Sequence, residues 1–200
     1  MSSNILKIAV LVSGGGSNLQ SIIDAQKEHF FKSEIAVVIS NKSDAYALKR
    51  AEENKIEAQV VTDDDLLIKI FEEKGIDLIV LAGYLKIISN EILEKYKNRI
   101  INIHPSLLPK YGGKGMYGIH VHKAVLLAGE KESGPTVHQV TNVIDGGEII
   151  IQEKVDIQDC KTAEEIQIKV LNLEHQILKK AIKIIEEKIV SICETNETKR

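Results

Sequence analysis

Apolar residues recur along this chain in two alternating rhythms. Residues 5–12 form an apolar run broken only by Lys7, the pattern of a strand covered on both faces in a parallel sheet. Ser13-Gly14-Gly15-Gly16-Ser17-Asn18 interrupts the run, and from Leu19 the apolar positions Leu19, Ile22, Ile23 and Ala25 return at helical spacing. The alternation continues with a strand over 35–40, a helix over 44–54, a short strand over 58–61, a helix over 65–74, a buried run over 76–81, a helix over 91–96 and a strand over 100–103. Strands that alternate with helices in this way predict right-handed βαβ crossovers and a parallel sheet.

After His104 the rhythm changes. Residues 105–119 hold two prolines and four glycines and read as a long loop, a length that in compact domains is often functional. A short helix is expected over 122–129. Two strands, 136–140 and 148–155, flank Ile144-Asp145-Gly146-Gly147 and could pair antiparallel at one sheet edge. Thr162-Ala163-Glu164-Glu165 is a capping box, and Ile166, Val170, Leu173, Ile177, Ile182, Ile185 and Ile189 mark one face of a long C-terminal helix. Residues 194–200 are polar, and the tail from 192 is expected to fray. With no repeat and no linker, residues 1–200 are expected to form a single α/β domain: a Rossmann-like, mostly parallel twisted sheet with helices on both faces, an antiparallel edge strand and a long C-terminal helix.

Composition narrows the function. A formal net charge of -3 over 200 residues gives no global basic field for a polynucleotide, though a local site for a small anion is allowed. Cys160 and Cys193 form no Cys-x-x-Cys pair and are expected to be reduced thiols. No leader pattern and no membrane-length apolar stretch is present, so a cytoplasmic protein is expected. His120, His122, His138 and His175 lack metal-ligand spacing, and no metal is expected.

Four places could carry chemistry. A strand that ends in glycines and opens a helix gathers backbone N–H groups and the positive end of the helix dipole at one point, which suits a phosphate. The glycine spacing fits neither a Walker loop nor the dinucleotide fingerprint, so a monophosphate is favoured over ATP or NAD. Asn102 and His104 alternate onto one face at the carboxyl end of a predicted strand, about 7 Å apart along the chain. Asp145 follows a long uncharged stretch near the sheet edge; beside an imidazole it would raise the imidazole pKa and fix its orientation. Read as structure alone, Asp145 is a hairpin turn residue and His104 a packing histidine. Glu174 falls inside the apolar stripe of the last helix, either as an edge residue or as a substrate contact, while Lys110 and Lys114 read as solvated loop charges.

Taken together, Ile8 to Gln20, Leu81-Ala82-Gly83-Tyr84, Asn102-Ile103-His104-Pro105-Ser106-Leu107-Leu108-Pro109, Gly134-Pro135-Thr136-Val137-His138, Asp145-Gly146-Gly147 and Glu174-His175 resemble the folate-dependent formyltransferases. Within that superfamily the opening glycine turn resembles the glycinamide ribonucleotide transformylases of purine synthesis. The resemblance covers nearly the whole chain. It implies that Asn102, His104 and Asp145 are catalytic, that Gly16, Ser17 and Asn18 hold a substrate phosphate and that Glu174 touches the substrate. It also implies a folate pocket formed by Leu85, Lys86, Ile87, Ile88, Asn102, Thr141, Asn142, Val143, Ile144 and Asp145. The implied cosubstrate is 10-formyltetrahydrofolate and the acceptor is 5'-phosphoribosylglycinamide. No metal, nucleic acid or membrane is implied, and the expected state is a monomer or weak homodimer.

The implied mechanism is direct amine attack on the formyl carbon. Protonated His104 and the Asn102 amide would donate to the resulting oxyanion, while Asp145 would stabilise the imidazolium and hold a proton-relaying water. Two features depart from many relatives: Leu85-Lys86 stands where they carry Met-Arg, and the segment 112–119 is longer. Methionyl-tRNA formyltransferase shares the Asn-x-His and Asp pattern but would require a further domain and a basic surface. A formyl-tetrahydrofolate hydrolase would usually carry an additional N-terminal domain. A nucleotide-binding module that uses only the glycine turn is the non-enzymatic alternative.

Overall fold

The structure, a computed structural model, describes residues 5–197 and the side chains of residues 5–191. In chain order the elements are β1 (Lys7–Val12), α1 (Ser17–Lys27), β2 (Glu34–Ser40), α2 (Tyr46–Glu53), β3 (Ala58–Val60), α3 (Asp64–Lys74), β4 (Leu78–Leu81), α4 (Asn90–Lys95), β5 (Ile100–His104), α5 (Ile119–Leu127), β6 (Glu132–Ser133), β7 (Thr136–Gln139), β8 (Ile149–Gln152), β9 (Val155–Asp156) and α6 (Ala163–Glu197). Seven strands form one sheet in the order β3-β2-β1-β4-β5-β7-β8. The first five are parallel; β7 runs antiparallel to β5, and β8 antiparallel to β7. The mostly parallel sheet with its antiparallel edge and long last helix is the architecture the alternating rhythms predict.

The pleat of β1 divides the core between two layers. Ile8, Val10 and Val12 pack with Leu19 and Ile22 of α1 and Ile177 and Ile182 of α6. Ala9 and Leu11 face the other way, toward Leu67 and Phe71 of α3 and Ile92 of α4. All of these are buried, and each large aliphatic side chain so covered stabilises the fold by about 1.5–3 kcal/mol. A third, smaller cluster joins Val125 of α5 and Ile157 to Ile166 and Val170 at the start of α6. The capping box at that start is formed: Thr162 Oγ1 accepts from the Glu165 N–H at 3.2 Å, and Glu165 Oε2 accepts from the Thr162 N–H at 3.2 Å.

Several boundaries differ from the sequence pattern. The expected strand over 148–155 is two strands, because the chain leaves the sheet at Glu153. Its N–H bonds to the Pro135 carbonyl at 3.2 Å, and Val155–Asp156 then pairs with Glu132–Ser133 in a separate two-stranded ribbon. Helix α5 begins at Ile119 rather than 122, which brings His120 into the helix beside His122. Helix α1 begins at Ser17, so Ser17 and Asn18 form its first turn instead of preceding it. Helix α6 runs to Glu197, and the tail from 192 expected to fray reaches residues 198–200, which are outside the described residues.

Candidate active site

Strand order reverses between β1 and β4: the chain moves outward from β1 to β3, then crosses back to β4 on the other side of β1. In open α/β sheets, ligands gather beyond the carboxyl ends of strands at such a switch point. Three loops leave the sheet there. They follow β1 (the glycine turn), β4 (residues 82–89) and β5 (residues 105–118). The buried Ser13 hydroxyl ties two of them to the end of β2, donating to Asn41 Oδ1 at 2.6 Å and accepting from the Leu85 N–H at 2.9 Å.

Asn102, His104 and Asp145 come together in a cleft of about 320 Å³ at this rim. Strand alternation in β5 turns Asn102 and His104 to one face, and the β7–β8 hairpin loop brings Asp145 over it. Asp145 sits in the left-handed region at φ 53°, a conformation that aspartate tolerates better than most residues. Its Oδ2 accepts from the Gly113 N–H at 2.8 Å and lies 3.6 Å from His104 Nδ1. Its Oδ1 lies 3.6 Å from Nε2 of His138. His138 also meets the Asn102 amide, with 3.1 Å between Nδ2 and Nε2. The sequence pattern missed His138 as a member of this group. The signal lay in strand pairing: once residues 136–140 run antiparallel to 100–104, His138 stands opposite Asn102.

The outer nitrogens of both imidazoles are anchored. His104 Nε2 is 2.8 Å from the Tyr111 carbonyl and His138 Nδ1 is 2.8 Å from the Gln139 carbonyl, so each carries a proton there. The nitrogens facing Asp145 are the unprotonated ones when the rings are neutral. Burial pushes the His104 pKa below the ordinary value, outweighing the Asp145 charge and the Tyr111 carbonyl that pull it up. The expected upward shift is thus reversed: desolvation, a tertiary effect, exceeds the attraction of the carboxylate. Burial raises the Asp145 carboxyl too, but the His138 ring, the Gly113 N–H and the His104 charge together hold it below the usual aspartate value.

Buried His122 lies near His104, and burial, aided by the His104 charge, pushes it down to about 4 from 6.5. The unfolded chain binds that proton from 6.5 downward, while the folded chain resists it until about 4. Stability is therefore lost as pH falls through this window, by about 3 kcal/mol at full effect. His122→Leu should lose less stability than the parent chain between pH 7 and pH 4.5 in urea unfolding. Identical losses in the two proteins would refute the assignment.

The remaining expected residues fall in two groups. Leu85, Lys86, Ile87, Ile88, Thr141, Val143 and Ile144 all line the cleft, whereas Asn142 is exposed and does not. Lys86 Nζ donates to the Thr62 carbonyl at 2.8 Å and pairs with Asp64. Lys110, read as a solvated loop charge, is largely exposed and pairs with Glu130 at 2.8 Å, and Glu130 also accepts from the Tyr111 hydroxyl. Gly16, Ser17, Asn18 and Glu174 gather beside the cleft but do not line it. Asn18 Nδ2 donates to Glu174 Oε2 at 2.5 Å, and burial raises the Glu174 pKa against that bond. Gly16 caps α1 at φ 73°, and a Cβ there would lie 2.6 Å from Ala47 Cβ, so both conformation and space require glycine. Among the described residues, no cluster of three or more histidine, cysteine or acidic side chains could hold a metal ion.

Residues 6–182 match the family model described as formyl transferase. The chain is 41% identical to a phosphoribosylglycinamide formyltransferase of Haemophilus influenzae, over 88% of this chain and 85% of that one. It is also 41% identical to a chloroplastic phosphoribosylglycinamide formyltransferase of Vigna unguiculata, over 92% of this chain, and spans 62% of that protein's length. Among solved structures, glycinamide ribonucleotide transformylase 1 of Symbiobacterium toebii superposes with a TM-score of 0.87 at 36% identity, covering 94% of this chain and 90% of that one. The match over most of its length, together with relatives whose own chains it largely covers, establishes that this chain belongs to the formyl transferase family, among the phosphoribosylglycinamide formyltransferases.

Proposed function

We propose that the chain transfers a formyl group from 10-formyltetrahydrofolate to the amine of 5'-phosphoribosylglycinamide, giving formylglycinamide ribonucleotide and tetrahydrofolate in purine synthesis. The observation that carries this reading is the meeting of Asn102, His104 and Asp145 in one cleft, beside a glycine turn that opens a helix. The cleft walls suit a flat, mostly apolar ring system: Ile87 is 72% and Val143 61% exposed at its rim, apolar surface that a ligand would cover. 10-Formyltetrahydrofolate, when bound, supplies the formyl carbon as the electrophile.

The residues divide the work of amine attack. As the amine adds, charge gathers on the formyl oxygen, and the Asn102 amide and the His104 Nε2–H donate to it. A donor already aimed at that oxygen lowers the barrier by about 2.7–4 kcal/mol, and one that must first leave a partner contributes less. At rest the Tyr111 carbonyl holds the His104 proton, so the substrate oxygen competes with that carbonyl. Because burial keeps His104 neutral at pH 7, it acts as a neutral donor rather than as an imidazolium. Ionised Asp145 holds a water that takes the proton from the attacking amine and delivers it to the departing folate nitrogen. The N–H groups of Gly16, Ser17 and Asn18 bind the phosphate at the positive end of α1.

The test is incubation with both substrates while following the absorbance of deformylated folate. Release only when the amine is present supports the reading. Release without the amine would mark a hydrolase, and no release in either case would refute formyl transfer.

A further inference from the structure

We propose that Arg50 of α2 is a positioning residue for the phosphate: it sets the peptide planes of the glycine turn and adds an uncompensated positive charge beside them. The proposal rests on the phosphate role of the turn given above, and it concerns a residue outside the turn and outside the cleft.

A planar trans peptide points the carbonyl of one residue and the N–H of the next in opposite directions. Two consecutive carbonyls of the turn are captured by α2. The Gly14 carbonyl accepts from the Ala47 N–H at 3.1 Å, and the Gly15 carbonyl accepts from Arg50 Nε at 2.8 Å. The N–H groups of Gly15 and Gly16 are thereby turned away from α2, toward the open side, and they join the first N–H groups of α1, which have no partner within the helix. Without these two captures, a glycine-rich turn would lose this alignment to its own conformational freedom.

Arg50 is itself held. Its Nη1 donates to Gln20 Oε1 at 3.3 Å, its guanidinium carbon lies 5.0 Å from the centre of the Tyr46 ring, and its Cδ lies 3.4 Å from where a Gly16 Cβ would stand. Among the described residues no carboxylate pairs with it, so its charge is free to act on an anion at the turn. Gln20 belongs to α1, so one half-buried side chain bridges the two helices that flank the turn.

The experiment measures inorganic phosphate as a competitive inhibitor against 5'-phosphoribosylglycinamide in the parent chain, in Arg50→Ala and in Arg50→Lys. The parent chain should be inhibited, and a lack of inhibition would overturn the phosphate reading itself. With that established, Arg50→Ala should weaken phosphate inhibition and raise the KM of the phosphorylated amine about tenfold, with the KM of the folate unchanged. Arg50→Lys keeps the charge without the Nε bond to Gly15 and should recover only part of the loss. Unchanged phosphate inhibition in both variants would overturn the role of Arg50. So would equal losses for both substrates, which would mark general damage to the fold. If Arg50→Ala does not fold, Arg50→Lys alone decides: phosphate inhibition equal to the parent chain's refutes the proposal.

Discussion

Asp145→Asn should lower kcat by about a thousandfold while the KM of each substrate stays within about threefold. Asparagine keeps the shape of the side chain and tolerates the left-handed backbone that Asp145 adopts at φ 53°, so the loop should stay in place. The amide oxygen can still accept from the Gly113 N–H, the one short hydrogen bond that Asp145 makes. What disappears is the charge. That charge faces two imidazole nitrogens at 3.6 Å each, and in the proposed mechanism it is the base that holds the relaying water. Steady-state kinetics at pH 7 check the prediction. Turnover close to that of the parent chain would remove Asp145 from the mechanism, and a rise in KM without a fall in kcat would make it a binding residue.

A comparable loss is expected from a residue that touches no substrate. Gly147→Ala would put a Cβ 1.8 Å from the Gln139 carbonyl oxygen and 3.3 Å from Thr141 Cγ2. The first contact is with backbone and cannot be relieved by rotating a side chain. Gln139 is fixed in β7, where its N–H bonds to the Glu148 carbonyl at 2.8 Å and its carbonyl receives His138 Nδ1. Relief would come from splaying the hairpin, at a cost of about 3 kcal/mol. The same movement would carry Asp145 off the two histidines. Gly147→Ala should therefore melt earlier and lose most of its activity even at temperatures where it remains folded. A parent-like melting temperature with full activity would show that the hairpin absorbs the methyl group at no cost.

The sheet was legible because its inner strands have a pattern that nothing else matches. Ile8 to Val12 are apolar on both faces, as only a strand covered by helices on two sides can be, and the helices carry their stripes at helical spacing. The ribbon of β6 and β9 was not legible. Each strand is two residues long and polar in part, with Glu132 opposite Asp156, and its existence depends on Glu153 leaving the main sheet. The site divides in the same way. Asn102 and His104 announce themselves as a polar pair on one face at the end of an apolar strand. His138 acquires its place only from cross-strand register, and the Arg50 capture of Gly15 joins residues 35 positions apart with no pattern between them. The downward shift of His104 was the subtlest miss: the sequence names the neighbouring carboxylate, but only the folded chain sets how much water is removed from the ring.

The loops after β1, β4 and β5 leave the sheet beyond the carboxyl ends of its parallel strands, whereas the β7–β8 loop starts at the other end of β5, where the Val140 N–H bonds to the Ile100 carbonyl. The turns that lead from helix back into β2 and β3, at residues 28–33 and 54–57, emerge at the amino ends of those strands, on the side of the sheet far from β7. Several of their residues are solvent-facing, among them His29 and Lys55. A fluorescent label, an affinity tag or an inserted peptide attached at those two turns would sit at the opposite strand ends from the glycine turn and several strands away from β7. Those turns are the natural handles for immobilising the protein or following it in solution with its catalytic end left open.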